Sequence, residues 1–386
     1  MVVESYTNLF YEVNMQELIE HQKKALLIFT HAQANNTSAE TQVYDTLACQ
    51  ELERLVENIG LKIEGTHSFR LAKPNASTFL GKGQVEDLYT LCKEKQIDIV
   101  VFNAHIGPRI QRNLEDRLAC CVIDREEVII QIFADRAQTA EAKIQAELAS
   151  LRYSLPRLNR KWTQLSQQRG GAFHSRGAGE TKLELSRRVA KTKIAQLNEK
   201  LAQVEKLRTT QRKRRLNTAI PIGSIIGYTN SGKSSLLQLL SKQETSVQDK
   251  LFATLDAQTK KVYLAPGKYT LLTDTVGFVD NLPHDLIDAF KSTLEETYYS
   301  DFLIIVCDAS TPAIDKYLDV TLSVLKDLRC DEKKQILFIN KMDSVYSKEK
   351  VDKIKARFPI VVEGSVLKKA GIETLMEKIQ EVTGIR

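Results

Sequence analysis

Eight consecutive residues, Gly227-Tyr228-Thr229-Asn230-Ser231-Gly232-Lys233-Ser234, carry the spacing GxxxxGK[ST]. The apolar run Ser224–Ile226 leads into them, and Ser235 continues into the helix-forming stretch SLLQLLS. A strand, a glycine-rich loop and a helix in this order make a phosphate cradle. The glycines let backbone N–H groups turn inward, and the helix start adds partial positive charge. Lys233 is expected to reach the β- and γ-phosphates, and the Ser234 hydroxyl to ligate Mg²⁺.

Three later segments raise this from a nucleotide loop to a particular nucleotide. The strand YTLLTD ends in Asp274-Thr275-Val276-Gly277. Asp274 is expected to hold Mg²⁺ through water, and the Gly277 N–H to sense a γ-phosphate. The strand QILFI ends in Asn340-Lys341-Met342-Asp343. A carboxylate at Asp343 accepts two hydrogen bonds from guanine N1–H and the 2-amino group, a donor pair adenine lacks, so the motif selects GTP over ATP. The strand PIVV is followed by Glu363-Gly364-Ser365 and Val366, a candidate loop over the base edge. All these segments lie at strand C-termini, where open α/β sheets bind ligands. Between the phosphate loop and Asp274 lies the polar stretch Asp249–Lys260, with Phe252 and Thr254. A GTPase needs a mobile loop here that presents a Thr to Mg²⁺ and the γ-phosphate; Thr254 is the choice and Thr259 its competitor. The expected metal ligands are therefore Ser234, Thr254 and Asp274. Turnover is expected to rest on Lys233, Thr254, Asn230 and Gly277.

The residue after Gly277 is Phe278. A Gln there would orient the attacking water, and a phenyl ring can neither donate nor accept a hydrogen bond. Hydrolysis is then slow alone or completed by another group. Asn230, inside the phosphate loop, is a candidate for holding K⁺ near the phosphates; bracing the loop is its other reading. His284, beyond Pro283, reads as a helix-start surface residue.

The elements that must position these groups follow from the rest of the chain. Its 386 residues suggest two or three domains. Residues 1–136 alternate strand-like and helix-like runs: KALLIFT (24–30), a helix over 39–58 stopped by Gly60, a helix over 84–95 after Gly81-Lys82-Gly83, IDIVVF (97–102) and ACCVI (119–123). A small α/β domain with a mainly parallel sheet is predicted. Over 137–216 the pattern is helical. Ile144, Leu148, Leu151 and Leu155 recur before Pro156, and Ile194, Leu197, Leu201 and Val204 follow the glycine-rich stretch 170–179. Two such stripes predict an antiparallel helical hairpin. Residues 217–386 form the third division, a P-loop GTPase domain with a mainly parallel sheet flanked by helices.

Residues 152–215 hold 18 Lys and Arg against four acids, a local charge of +14; the remainder carries −8 within the net +6. That asymmetry points to a polyanionic partner for this segment. The six cysteines form no CxxC pair and have no His at metal spacing, so they are expected to be reduced and mostly buried. No stretch approaches the about 18 apolar residues of a membrane span, and the N-terminus does not read as a secretory signal. A cytoplasmic protein without stable membrane insertion is expected.

GGAFHSRGAGETKLELSRR (170–188), followed by a basic helix and GYTNSGKSS, resembles the HflX family of translational GTPases. DKLFATLD, DTVGFVDNLPHDLIDAFKSTLEE and NKMD are similar to its switch and base-recognition segments; FLGKGQVEDL, VIDREEVIIQIFADRA and KIQAELASLRYSLPRL are similar to its N-terminal region. The chain departs from the family at Phe173, where Gly is usual, at Ala178 (Pro), at Ser186 (Asp) and at Val366, after Ser365, where Ala is usual. The resemblance implies a GTPase that binds the large ribosomal subunit and its RNA and splits or rescues stalled ribosomes under stress. It also implies ATP binding by the N-terminal region, with a secondary ATPase activity. Gly170-Gly171 and Arg176–Glu180 are the candidate cradle there, although an RNA-contacting loop with Phe173, His174, Arg176, Lys182, Arg187 and Arg188 is the favoured reading. The rival function is a regulatory GTPase acting through a protein or membrane partner.

Overall fold

The computed structural model describes residues 23–32, 39–157, 176–216, 220–242, 252, 257–279 and 296–385. They divide into two compact units, Met1–Asp135 with Ile144–Gln203, and Arg136–Lys143 with Val204–Arg386.

In the first unit, β1 (Lys24–Ala32), α1 (Ala39–Asn58), β2 (Lys62–Leu71), α2 (Lys82–Lys95), β3 (Ile99–Phe102), α3 (Pro108–Leu118), β4 (Cys121–Asp124) and α4 (Arg125–Arg136) alternate. The sheet order is β2-β1-β3-β4, and every pairing is parallel. Central β1 is apolar on both faces, as a strand covered by helices must be. Leu26 and Ile28 join Val100, Phe102 and Val122 against Val85, Leu88 and Cys92 of α2 and Leu114 and Leu118 of α3.

Several boundaries differ from the expectation for local reasons. β2, absent from the sequence reading, is a polar edge strand whose register slips between Ala25 and Leu26. The strand expected at 119–123 starts at Cys121, because Ala119 takes a left-handed φ of 54° and closes α3. Gly81 precedes α2, and its N–H is taken by the Gln84 side chain.

The helical region holds α5 (Ala140–Ser154), a short turn Leu155–Arg157 and α6 (Arg176–Leu216). Within the first unit, Lys193 of α6 pairs with Glu147 of α5, and Arg152 donates to Asn198. Leu148 and Leu197, one from each predicted stripe, are buried. Buried Asp124 ties this region to the sheet: it accepts from Tyr153 Oη at 2.8 Å, from Ile106 N and from Glu127 N. The loop with Phe173 and His174 lies outside the described residues.

The second unit is built on a six-stranded sheet, order β10-β9-β8-β5-β7-β6. Its strands are β5 (Ile222–Gly227), β6 (Gln258–Ala265), β7 (Lys268–Asp274), β8 (Phe302–Asp308), β9 (Lys334–Asn340) and β10 (Val361–Glu363). Only edge strand β6 runs antiparallel. Helices α7 (Lys233–Ser241), α8 (Ile314–Asp327), α9 (Lys348–Lys355) and α10 (Ile372–Thr383) accompany it. The chain leaves β5 towards β7 on one side and returns as β8 on the other. The C-terminal end of β5 is therefore the switch point where such sheets hold ligands. None of the six cysteines is in a disulfide; Cys92, Cys307 and Cys330 are buried, whereas Cys49, Cys120 and Cys121 are half-buried.

Candidate functional site

β5 delivers Gly227 to the centre of the sheet edge, and Tyr228–Gly232 then curl into α7. Three residues of this turn have left-handed backbones: Gly227 (φ 152°), Asn230 (φ 61°) and Gly232 (φ 99°). Gly232 has no alternative, since a β-carbon there would meet Asn340 Nδ2 at 2.3 Å.

Lys233 is buried, and its Nζ folds back to donate to the Tyr228 carbonyl at 2.7 Å. Burial lowers its ammonium to about 8, with the Asp274 carboxylate pulling the other way. Ser234 Oγ donates to Asp274 Oδ2 at 2.6 Å, joining the helix start to the end of β7. Beyond Asp274, the chain pairs with the phosphate loop: Phe278 N donates to the Gly227 carbonyl, and Thr229 N to the Phe278 carbonyl. Phe278 itself is buried.

β9 leads into the segment Asn340–Asp343. Asn340 Nδ2 donates to the Ser231 carbonyl at 2.8 Å, while its Oδ1 accepts from Val366 N at 2.9 Å. Lys341 Nζ donates to the Asn230 carbonyl at 3.2 Å. Asp343 is exposed, and a hydrogen bond from Ser365 is the main cause holding its carboxyl below the usual range. Thus Gly227–Ser235, Asp274, Gly277, Asn340, Lys341, Asp343, Ser365 and Val366 surround one end of the sheet. The Ser234 and Asp274 oxygens lie together at this end, and the Asp343 carboxylate lies beside Ser365 on the loops that follow β9 and β10.

Thr254 and His284 lie outside the described residues. Phe252 is buried, with φ 54°, and its carbonyl accepts from Arg136 Nη1. Thr259 belongs to β6, where its hydroxyl meets that of Thr273 at 2.9 Å, so it is part of the sheet rather than of a loop. Two further residues enter the site unannounced by the motifs. Asp308, at the end of β8, pairs with Lys341 at 2.6 Å. Tyr317 of α8 stacks on Tyr228, with ring centroids 3.8 Å apart and planes at 7°. The charged end of the otherwise fully apolar FLIIVCD run was the available signal for Asp308.

Three family models match the chain. They are described as GTP-binding GTPase N-terminal over residues 47–134, GTP-binding GTPase Middle Region over 136–215, and 50S ribosome-binding GTPase over 223–341. The GTPase HflX of Treponema denticola is 53% identical over 378 residues, spanning 93% of this chain and 97% of its own. The chain belongs to the HflX family of GTPases. The Escherichia coli HflX is 37% identical, covering 88% of this chain and 80% of its own. A solved structure described as the SsGBP and GDP complex is 25% identical and covers 94% of this chain and 98% of its own, with TM-score 0.52. As an HflX protein the chain is a GTP-binding member of a GTP-hydrolysing family, and its P-loop fold agrees with that membership. Among the described residues, no helix is long and apolar enough to cross a membrane.

Proposed function

We propose that this HflX protein is a GTP-driven factor that binds the large ribosomal subunit and its RNA and splits or rescues stalled ribosomes. The observation that carries the reading is the pairing of the HflX guanine-nucleotide fold with the +14 stretch over residues 152–215. Lysines and arginines neutralise RNA phosphates, so the interaction weakens steeply with salt. The name of the matched family model, 50S ribosome-binding GTPase, points to the same partner.

At the nucleotide, Lys233 would leave the Tyr228 carbonyl for the β- and γ-phosphates. The hard oxygens of Ser234 and Asp274, already within hydrogen-bonding reach of each other, suit a small divalent cation. With Thr254, they would hold Mg²⁺, which neutralises phosphate charge when bound. Asp343 would read the guanine edge, with Ser365 and Val366 closing over it. Phe278, buried and apolar, cannot orient water, so the chain's own residues bind and position GTP while the ribosome or a cation completes the charge arrangement. Asn230, on the exposed rim of the phosphate loop, is the candidate ligand for K⁺. Equal turnover in K⁺ and Na⁺ buffers would remove that element of the reading. A separate ATP site in the N-terminal region belongs to the same proposal, and its test is ATP binding by the full chain with the GTP site filled by GDP.

Sedimentation with purified large subunits tests the main claim. The protein should pellet with a non-hydrolysable GTP analogue, less so with GDP, and less in both as salt rises. Protein that stays in the supernatant at low salt in both nucleotide states overturns it.

A further inference from the structure

We infer that Asp308 is a positioning residue for guanine-nucleotide binding: it fixes the Lys341 ammonium on the phosphate-loop carbonyl of Asn230, so that base loop and phosphate loop form one body. The inference rests on the reading of Asn340–Asp343 as the guanine segment.

Asp308 is the last residue of β8 and stands in register opposite Asn340 of β9. Its carboxylate has little freedom. Oδ1 accepts from Ser310 N at 2.9 Å and from Ser310 Oγ at 2.6 Å, which leaves Oδ2 facing Lys341 Nζ at 2.6 Å. The same ammonium donates to the Asn230 carbonyl. Lys341 and Asn230 both have φ 61°, so two left-handed residues on facing loops are joined through one cation. The next carbonyl along, that of Ser231, is held by Asn340. Two successive phosphate-loop carbonyls are thus gripped by two successive residues of the base segment.

The turn after β8 reinforces this grip by separate routes. Ala309 N donates to the Asn340 carbonyl, and Tyr346 N to the Ala309 carbonyl, so the turn brackets the base segment at both ends. Tyr317, at the start of α8, stacks on Tyr228 of the phosphate loop.

Lys341 is one-third exposed, and a lysine in that position without an anion beside it gains rotamer freedom by swinging into water. An exposed ion pair would do little to prevent that. The Asp308 side chain, however, is only 18% exposed and is fixed from behind by Ser310. Preorganised in this way, the two loops need no ordering when nucleotide arrives, and the benefit falls mainly on the dissociation rate.

The experiment is a stopped-flow chase of a fluorescent GDP from the full-length protein. In Asp308→Asn, which keeps the shape and removes the charge, GDP release should accelerate about tenfold, the equivalent of one charge-assisted hydrogen bond. Guanine over xanthine preference should stay as in the wild type, since Asp343 is untouched. Lys341→Met should accelerate release as well. The double variant should match Lys341→Met alone, because both changes remove one linkage. Should Asp308→Asn fail to fold, Ser310→Ala frees Oδ1 and should shift release in the same direction by less. Release within about twofold of wild type in the folded variants, or effects that multiply in the double variant, overturns the inference. A wild-type protein that binds no fluorescent GDP overturns instead the reading of the guanine segment.

Discussion

Gly277 packs so closely on Lys233 that a β-carbon at position 277 would lie 2.9 Å from the lysine Nζ. The same atom would meet Thr229 Cγ2 at 2.8 Å and its Cα at 2.9 Å. Backbone offers no escape from that contact. Gly277→Ala is therefore expected to destabilise the nucleotide-free protein by about 1–3 kcal/mol, the usual range for overpacking. Urea denaturation measures it, and an unchanged midpoint would mean that the Asp274–Phe278 segment does not rest on the phosphate loop.

Lys233 gives a pH signature. Burial brings its ammonium down to about 8 without nucleotide, and phosphate oxygens beside it would raise that value again. Binding then takes up a proton wherever the free site has lost it. Below about pH 7, proton uptake attributable to Lys233 should be near zero. Above pH 8 it should approach one, with affinity falling about tenfold per pH unit. Calorimetry of GDP binding in buffers of different ionisation enthalpy reads the uptake directly. Lys233→Ala should abolish nucleotide binding or turnover, and an intact GTPase rate in that variant would place the phosphate site elsewhere.

Asp343→Asn exchanges paired acceptors for a mixed amide. One of the two hydrogen bonds to a charged acceptor, worth about 1.5–3 kcal/mol, is lost, the other loses its charge assistance, and the new amide N–H faces a guanine donor, so GTP affinity should drop on the order of 100-fold or more. Xanthine nucleotides, which carry a 2-oxo group where guanine has its amino group, should gain in relative affinity. Competition between the two against a fluorescent guanine nucleotide decides this, and an unchanged preference would separate Asp343 from the base.

The phosphate loop was legible because the sequence changes period there. An apolar strand run stops at Gly227, and a helical run starts at Lys233, with polar residues and Gly232 between. Asn340 and Asp343 were legible for the same reason, sitting where an apolar strand ends. Asp308 ends an equally apolar strand, but its meaning depends on Lys341, 33 residues away in sequence, and only the β8–β9 register joins them. Thr259 shows the converse: its type and its nearness to Thr254 suggested a loop ligand, and pairing with Thr273 puts it in the sheet. β2 escaped because an edge strand with a slipped register need not alternate cleanly. The helical stripes were visible by spacing, and left-handed Gln96 closes its helix at Lys95 where the sequence predicts, whereas left-handed Ala119 closes α3 and delays the strand expected there to Cys121.

The +14 stretch makes a prediction about salt. If six to ten of its 18 basic residues reach phosphates, the affinity for large subunits should fall by about 10³–10⁵ between 50 and 200 mM salt. Charge-neutral variants at Arg187 and Arg188 together should flatten that dependence by about two contacts' worth of slope. A slope unaffected by both changes would remove these arginines from the interface.

Phosphate release from GTP at saturating large subunits is the most direct measurement of the whole account. With Phe278 where a water-orienting Gln would stand, the protein alone should turn over slowly, and large subunits should raise the rate on the order of tenfold or more. A rate that is the same with and without subunits, in a protein that demonstrably binds GTP, would contradict it.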